Sequence, residues 1–513
     1  MFRGNAEARP CCGGALSAKL APVNAPDSPY QSDAKPLGRS MRQVGNLLIT
    51  ISAITPAMSV FVIGQQVVQQ AGTGAIVCFA AAGLLALMTA FVYAELSSAF
   101  PLTGAEYSML GRTMGPSWGF MALGLNLFGG PVSQAVTALG LADYLGVVIP
   151  GVSTPVAVLA VALTVTVGTA LIGVLNIRLN AKITGAFLLV ELGALAVMTA
   201  LGVIHVHNPL VGLTLHPVAA TGAGGLAPVT WAGLGLGMAG AVYAYNGFGG
   251  AVSFGEEMYE ARTKMAWVIF VSLAVGAVAE FAPIVAVLAG APDLKAVLTA
   301  DAPFPAFLKA TGGPVVDDVV SLGVAFAIVN AMIAIGLINA RQLFCSGRDG
   351  VWPGAMSGWM AAVHPRFHSP WIATLVMGAA TIACCFIPQK LLVILSGTNV
   401  VMLYAGVSVA VIAGRINRTT AVGHYRMPLY PLWPVAALVG LAGVVFANIL
   451  DPESGRPSLI ANLAVMAISA AYYLLYLRRR GGWTLRAADG KPLEELEAEG
   501  LAGGAEGLMS APP

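Results

Sequence analysis

Charge is scarce in this chain. Its 513 residues include 24 acidic and 26 basic side chains, so 10% are charged while 57% are hydrophobic. A soluble domain carries about 25% charged residues, and a mean hydropathy of +0.80 identifies an integral membrane protein. The formal net charge of +2, without a basic stripe interleaved with aromatics, excludes a nucleic-acid partner. Cysteine is sparse as well. Of Cys11, Cys12, Cys78, Cys345, Cys384 and Cys385, none stands at a metal-ligand spacing with histidine. The last four read as small buried hydrophobes; the pair Cys11–Cys12 sits in a polar tail and offers at most an acylation site. His205, His207 and His216 lack the helical pairing of a metal motif, and no nucleophile–base pair is evident, which argues against an enzyme and against any cofactor. No repeated ring of charge or carbonyl filter supports an ion channel.

What is present is a series of long apolar runs. A spanning helix needs about 20 mostly apolar residues. Twelve segments qualify: 44–69, 74–100, 116–141, 154–175, 182–205, 231–255, 265–289, 317–345, 370–388, 390–414, 431–450 and 457–477. Sixteen Lys and Arg residues, among them Arg39, Arg112, Arg341, Arg348 and Arg478–Arg480, flank one side of this series, against four (Lys295, Lys309, Lys390, Arg456) on the other. By the positive-inside rule both termini are cytoplasmic, in a multi-pass protein of the plasma (cytoplasmic) membrane. Residues 1–40 and 478–513 are polar and small-residue-rich and are expected to be disordered cytoplasmic tails around a twelve-helix domain at 41–477.

Two segments are interrupted. VYAYNGFGGAVSFGEEMYEA (Val242–Ala261) places Gly247, Gly249 and Gly250 where the membrane centre belongs, and each glycine weakens a helix by about 1 kcal/mol relative to alanine. Segment 1 carries Pro56, which removes a backbone donor, among Ser52, Thr55, Ala57 and Ser59. Segments 1 and 6 open two five-helix halves, repeat one at 44–205 and repeat two at 231–414, with extra helices at 431–477. Because five is odd, the second half is inverted. Breaks at matching positions of an inverted repeat point to a midplane binding site.

Motifs at the ends of the segments are more specific. YAELSSAFPLTGAEYSML (Tyr93–Leu110) resembles the junction signature of the amino acid–polyamine–organocation (APC) superfamily of permeases. Segment 6, NARQLFCSGRDGVWP (Asn339–Pro353), HPRFHSPW (His364–Trp371) and HYRMPLYPLWP (His424–Pro434) are similar to further motifs of that family in the same order. The resemblance covers about residues 40–477 and implies a LeuT-type all-α fold of twelve transmembrane helices. Glu95, Glu106, Arg112, Arg341, Arg348 and Asp349 are expected to form an ion-paired cytoplasmic scaffold away from substrate.

The resemblance implies a secondary active transporter of amino acids working by alternating access, with H+ as the driving partner, a small-molecule substrate and membrane lipid around it. A permease for an amine, polyamine or ethanolamine, or a substrate–product exchanger, stays open, as does a homodimer. Half-helix N-termini suit a carboxylate and half-helix C-termini an ammonium group. The candidate substrate residues are Thr55, Pro56, Ala57, Met58 and Ser59 in segment 1, Tyr243, Tyr245, Asn246, Gly247 and Phe248 in segment 6, and Asn126 in segment 3, where Ser133 and Gln134 also offer polar groups. Tyr245 is the expected gate, with Tyr243 nearby. Relatives have a Gly-Ser-Gly-type stretch where Ala57-Met58-Ser59 stands here, so the carboxylate site differs. A carboxylate within the membrane is a functional candidate by default: Glu191 is expected to couple transport to protons, and Glu280 and Asn330 are further candidates. Proton-coupled relatives carry a lysine near the Glu191 position.

Overall fold

A computed structural model of the chain describes residues 41–480 apart from 150, 153, 222 and 223, together with Leu37 and Arg486. The expectations for the tails and for Cys11–Cys12 therefore fall almost wholly outside the described residues. The fold is all-helical apart from a small hairpin. The first apolar run is α1 (Gln43–Ile54), a single residue out of helix, and then α2 (56–71), whose middle, Ser59–Gly64, is π-helical. A turn at Gly72–Gly74 leads to α3 (Ala75–Ala99). Then come α4 (Glu106–Met114), α5 (Pro116–Val148), α6 (Pro155–Gly173), α7 (Ile177–Ile204) and α8 (Trp231–Ala244), the last followed by a 3₁₀ stretch at Phe248–Phe254. The longer helices that follow are α9 (Ala261–Gly290), α10 (Pro314–Arg348), α11 (Trp371–Cys384), α12 (Gln389–Ile416), α13 (Leu432–Leu450) and α14 (Gly455–Tyr472), with short helices such as Pro303–Gly312 in the connections. The hairpin pairs β1 (Val218–Ala220) antiparallel with β2 (Leu226–Pro228), Ala219 opposite Ala227.

Each of the twelve apolar segments falls on helix. By length and composition eight spans are long and apolar enough to cross a membrane among the described residues. The first, Gln43–Ala99, has 57 residues, which at 1.5 Å per residue is about 85 Å and far exceeds a ~30 Å hydrocarbon core; it turns back at Gly72–Gly74. Outward faces are apolar, with Leu171, Leu189, Val439, Ile460 and Ile468 all exposed. In water such a surface would be an aggregation or interaction patch; it suits a membrane-embedded chain. The protein is a multi-pass membrane protein.

The helices that matter for the site pack around α1 and α2. α9 lies against α3 and α7, α10 against α5, and α1 contacts α7, α9 and α10. Where α3, α10 and α12 end, buried ion pairs lock the loops. Arg341 grips Glu257 through Nε (2.5 Å) and Nη2 (3.2 Å) and lies over the Phe254 ring. Arg415 grips Glu95 at 2.7 and 2.6 Å, and the same carboxylate accepts the Met427 amide. Arg348 meets Glu256 at 2.5 Å and Asp349 at 3.4 Å, and Glu256 also accepts the Thr103 amide. Glu95, Arg341, Arg348 and Asp349 thus form ion pairs as expected of them; Glu106 does not, and is taken up below.

Glu256 and Asp349 are not equivalent partners of Arg348. Burial pushes the Asp349 carboxyl up to about 6, against the pull of Arg348 and the Tyr107 hydroxyl. Its desolvation cost therefore exceeds what Arg348 returns. Glu256, in the shorter pair, is what keeps Arg348 neutralised, and removing one partner of a buried pair costs about 3–5 kcal/mol. In detergent, Glu256→Gln should lower the melting temperature clearly more than Asp349→Asn. Equal losses would show that the two carboxylates share the guanidinium evenly.

Candidate functional site

Segment 1 breaks at Thr55, which adopts a left-handed conformation (φ 58°, ψ 57°). A β-branched residue there is a true outlier, strained by about 1–3 kcal/mol. Pro56 cannot continue the α1 ladder and starts α2 instead, at the first position, where its missing N–H costs nothing. Segment 6 breaks after Ala244. Tyr245 and Asn246 leave the helix, and Gly247 takes φ 124°, which L side chains rarely adopt.

The two breaks touch. A Cβ on Gly247 would lie 2.7 Å from the Ala53 carbonyl oxygen and 2.7 Å from the Ile54 nitrogen. Ser59 joins them further, its hydroxyl lying 3.1 Å from the Ile54 carbonyl and 2.9 Å from the Ala244 carbonyl. These are the C-terminal carbonyls of α1 and α8, both left without a helical partner by the breaks. The first turn of α2 has the opposite need, and Glu191 of α7 meets it by accepting the Ala57 N–H at 2.8 Å. Asn330 of α10 donates to the other Glu191 oxygen (3.4 Å) and to Ser52 (3.0 Å). Glu191 is fully buried, and these two partners, the Ala57 amide and Asn330, are neutral. Glu280 of α9 is also fully buried beside Ser59, and neither of its oxygens has a hydrogen-bond partner.

Beside the breaks lies a cavity of about 110 Å³, room for several waters at ~10–15 Å³ each. Of the predicted residues, Thr55, Met58, Ser59, Asn126, Tyr243, Asn246 and Gly247 line it, as does Ser133. Pro56, Ala57, Tyr245 and Phe248 do not. Tyr245, the expected gate, is 1% exposed and packs edge-on against Phe79 of α3, with its ring over Gly83. This placement corrects the expectation: the aromatic facing the cavity from segment 6 is Tyr243, whose hydroxyl is 2.6 Å from that of Ser133. Phe248 is buried against Tyr93 and Tyr404. Gln134 is not a lining residue either; it bonds the Met332 carbonyl and Thr381.

The structure adds lining residues that sequence reasoning missed. Tyr404 of α12 donates to Asn246 at 3.1 Å. Asn339 and Asn399 enter beside Gly130 and Gly129 of α5, where a Cβ would come within 2.4 Å and 2.3 Å of their amides. That glycine pair was the available signal. Glu106 departs from the scaffold role: it lines the cavity, accepting the Tyr93 hydroxyl at 2.6 Å and the Asn126 amide at 3.0 Å. Burial pushes its carboxyl up, and these two bonds pull the other way.

A cavity of amides and hydroxyls with one carboxylate, Glu106, walled by backbone from two broken helices, can hold a small polar solute. It has no metal-ligand cluster among the described residues. Comparison with known proteins points the same way. A family model described as "Amino acid permease" matches residues 43–474. The methylthioribose transporter of Bacillus subtilis (strain 168) is 27% identical over 79% of this chain and 87% of its own length. The branched-chain amino acid permease BcaP of the same organism is 22% identical over 87% and 95%, and BcaP of Lactococcus lactis subsp. cremoris 26% identical over 80% and 89%.

The contact between the breaks can be tested by one methyl group. Gly247→Ala adds both a strained φ and a backbone clash and should cost ~3 kcal/mol, visible as a large fall in melting temperature or loss of folded protein. Gly83→Ala meets the Tyr245 ring at an ordinary 3.5 Å and should stay within about 1 kcal/mol of the parent. If both variants melt alike, the apposition does not matter to the fold.

Proposed function

Because the chain belongs to the amino acid permease family, a group of transporters and not enzymes, we propose that it moves small amino compounds across the cytoplasmic membrane by alternating access, driven by protons. Amino acids are the class the family suggests. The observation that carries the reading is the pair of apposed breaks at Thr55 and Gly247 beside a polar cavity. Unwound backbone is tolerated inside a membrane only where it is buried in protein or lines a cavity, and transporters place it at the substrate.

In this reading all twelve segments cross the membrane, and 44–205 and 231–414 are inverted five-helix repeats whose first members are the broken ones. The arginine-rich ends and both termini face the cytoplasm. The buried ion pairs of Arg341, Arg348 and Arg415 hold that side together as one bundle moves against the other. Tyr243, hydrogen-bonded to Ser133 across the cavity, is placed to close over cargo. Glu191 is the proton carrier. It joins α2, α7 and α10 at the break through neutral groups, so losing or gaining a proton there changes how firmly α2 is held. A membrane carboxylate without a cation beside it is costly and marks a proton path by default.

One feature favours an amine over an amino acid. The N-terminus of α2, the natural seat for a cargo carboxylate, already bonds Glu191 at Ala57, and Ala57-Met58-Ser59 lacks glycine.

In sealed vesicles Glu191→Gln should abolish uptake driven by an imposed pH gradient and retain counter-flow of the same labelled solute. Full pH-driven uptake by the variant would remove Glu191 from coupling; loss of counter-flow as well would make it a structural residue.

A further inference from the structure

Among the described residues Glu106 is the only formally charged side chain lining the cavity, with no Lys, Arg or His around it. Both its oxygens accept, one from Tyr93 and one from Asn126, so the geometry suits the ionised form. No basic side chain pairs with it among the described residues, although every other carboxylate of the family-like motifs has an arginine: Glu95 has Arg415, Glu256 has Arg348 and Glu257 has Arg341. Glu106 comes from the same run of sequence as Glu95 yet is turned to the cavity by α4. A carboxylate left in a nearly dry interior without a counter-charge is destabilising.

The rest of the site leans to the same sign. The carbonyl ends of α1 and α8 converge at Ser59, and helix C-termini favour cations. The N-terminal seat that α2 offers an anion carries Glu191, and Glu280 stands close by with neither oxygen bonded to a described residue. A cargo carboxylate would enter among carboxylates. A cargo cation would meet an acceptor on each side. Ile63, Ile335, Ile338, Val400 and Leu403 supply apolar wall for a hydrocarbon chain.

Building on the carrier reading above, we propose that Glu106 is the counter-ion of the cargo: the cavity selects solutes of net positive charge, whose ammonium group docks on the Glu106 carboxylate held by Tyr93 and Asn126. Such a solute is an aliphatic amine, or an amino acid with a second basic group. Tyr93 and Asn126 are positioning residues in this arrangement.

The test uses the full chain, purified and reconstituted, with putrescine, ethanolamine and L-arginine as net-positive probes and L-leucine as the neutral one. Thermal shift and competition should rank at least one positive probe tenfold or more above leucine. Glu106→Gln should remove that preference, weakening the positive probes at least tenfold relative to leucine, and Glu106→Asp should restore part of it. Leucine binding as tightly as the best positive probe in the unmodified protein overturns the proposal, whether or not the variants fold. So does a Glu106→Gln protein that retains the preference, or a parent that binds none of the positive probes. Counter-flow separates this from the wider reading: counter-flow of leucine alone leaves a carrier with Glu106 in some other role, and counter-flow of nothing removes the carrier itself.

Discussion

A peptide group with no water to turn to must find its partner inside the protein, and the centre of this molecule is arranged around that need. The breaks at Thr55 and Gly247 are not two separate defects. Gly247 lies on the Ala53–Ile54 backbone, and Ser59 reaches the carbonyl ends of both α1 and α8. A hydroxyl has one proton to give, so Ser59 can serve Ile54 or Ala244 at any instant but not both. The two half-helices thus share a single donor, and any relative movement of segments 1 and 6 shifts its allegiance. Glu191 and Asn330 fix the other side of the same break from α7 and α10. Side chains of two continuous helices thus meet segments 1 and 6 at a place where neither broken segment satisfies its backbone alone.

Much of this was legible in the sequence, and what was not has a geometric cause. Apolar runs locate helices because lipid demands them, and all twelve segments lie on helix. Pro56 and the glycine run announced both breaks because each residue acts on its own backbone. The arginines and carboxylates of the loop motifs paired as expected for a similar reason, since an unpaired charge at a buried helix end is costly wherever the helix points. Which side chain of a broken helix faces the cavity is a different kind of question. Successive residues of a helix are about 100° apart, so Tyr243 and Tyr245 point roughly 200° apart. The direction depends on where α8 stops and how it leans on α3. Segment 6 is apolar all round and offers no polar face to fix its phase. Tyr245 was accordingly expected at the gate and is found behind it.

Glu106 was missed through the opposite error, reading position in a motif as position in space. Glu95 of the same motif belongs to the loop-end chemistry of the scaffold, but a short helix separates α3 from α5, and its first residue turns inward to Tyr93 and Asn126. Asn339 and Asn399 carried a fainter signal. They enter the cavity because Gly129 and Gly130 leave room in α5. A glycine pair inside an apolar helix reads equally well as helix packing, and only the facing amides distinguish the two.

The charges are divided between two neighbourhoods that follow different rules. At the loop ends Glu95, Glu256 and Glu257 each have an arginine within 2.5–2.7 Å, a pairing that resists change. Around the breaks Glu106, Glu191 and Glu280 have only neutral donors or none. A buried pair is destabilised by losing its partner, whereas an unpaired group can gain one. Protons and cargo can therefore bias the central carboxylates without disturbing the paired ends. A carrier needs both regions: one must keep its contacts while the bundles move, and the other must have contacts still to make. The unmatched acids at the centre are what distinguish this cavity from an ordinary packing gap between helices.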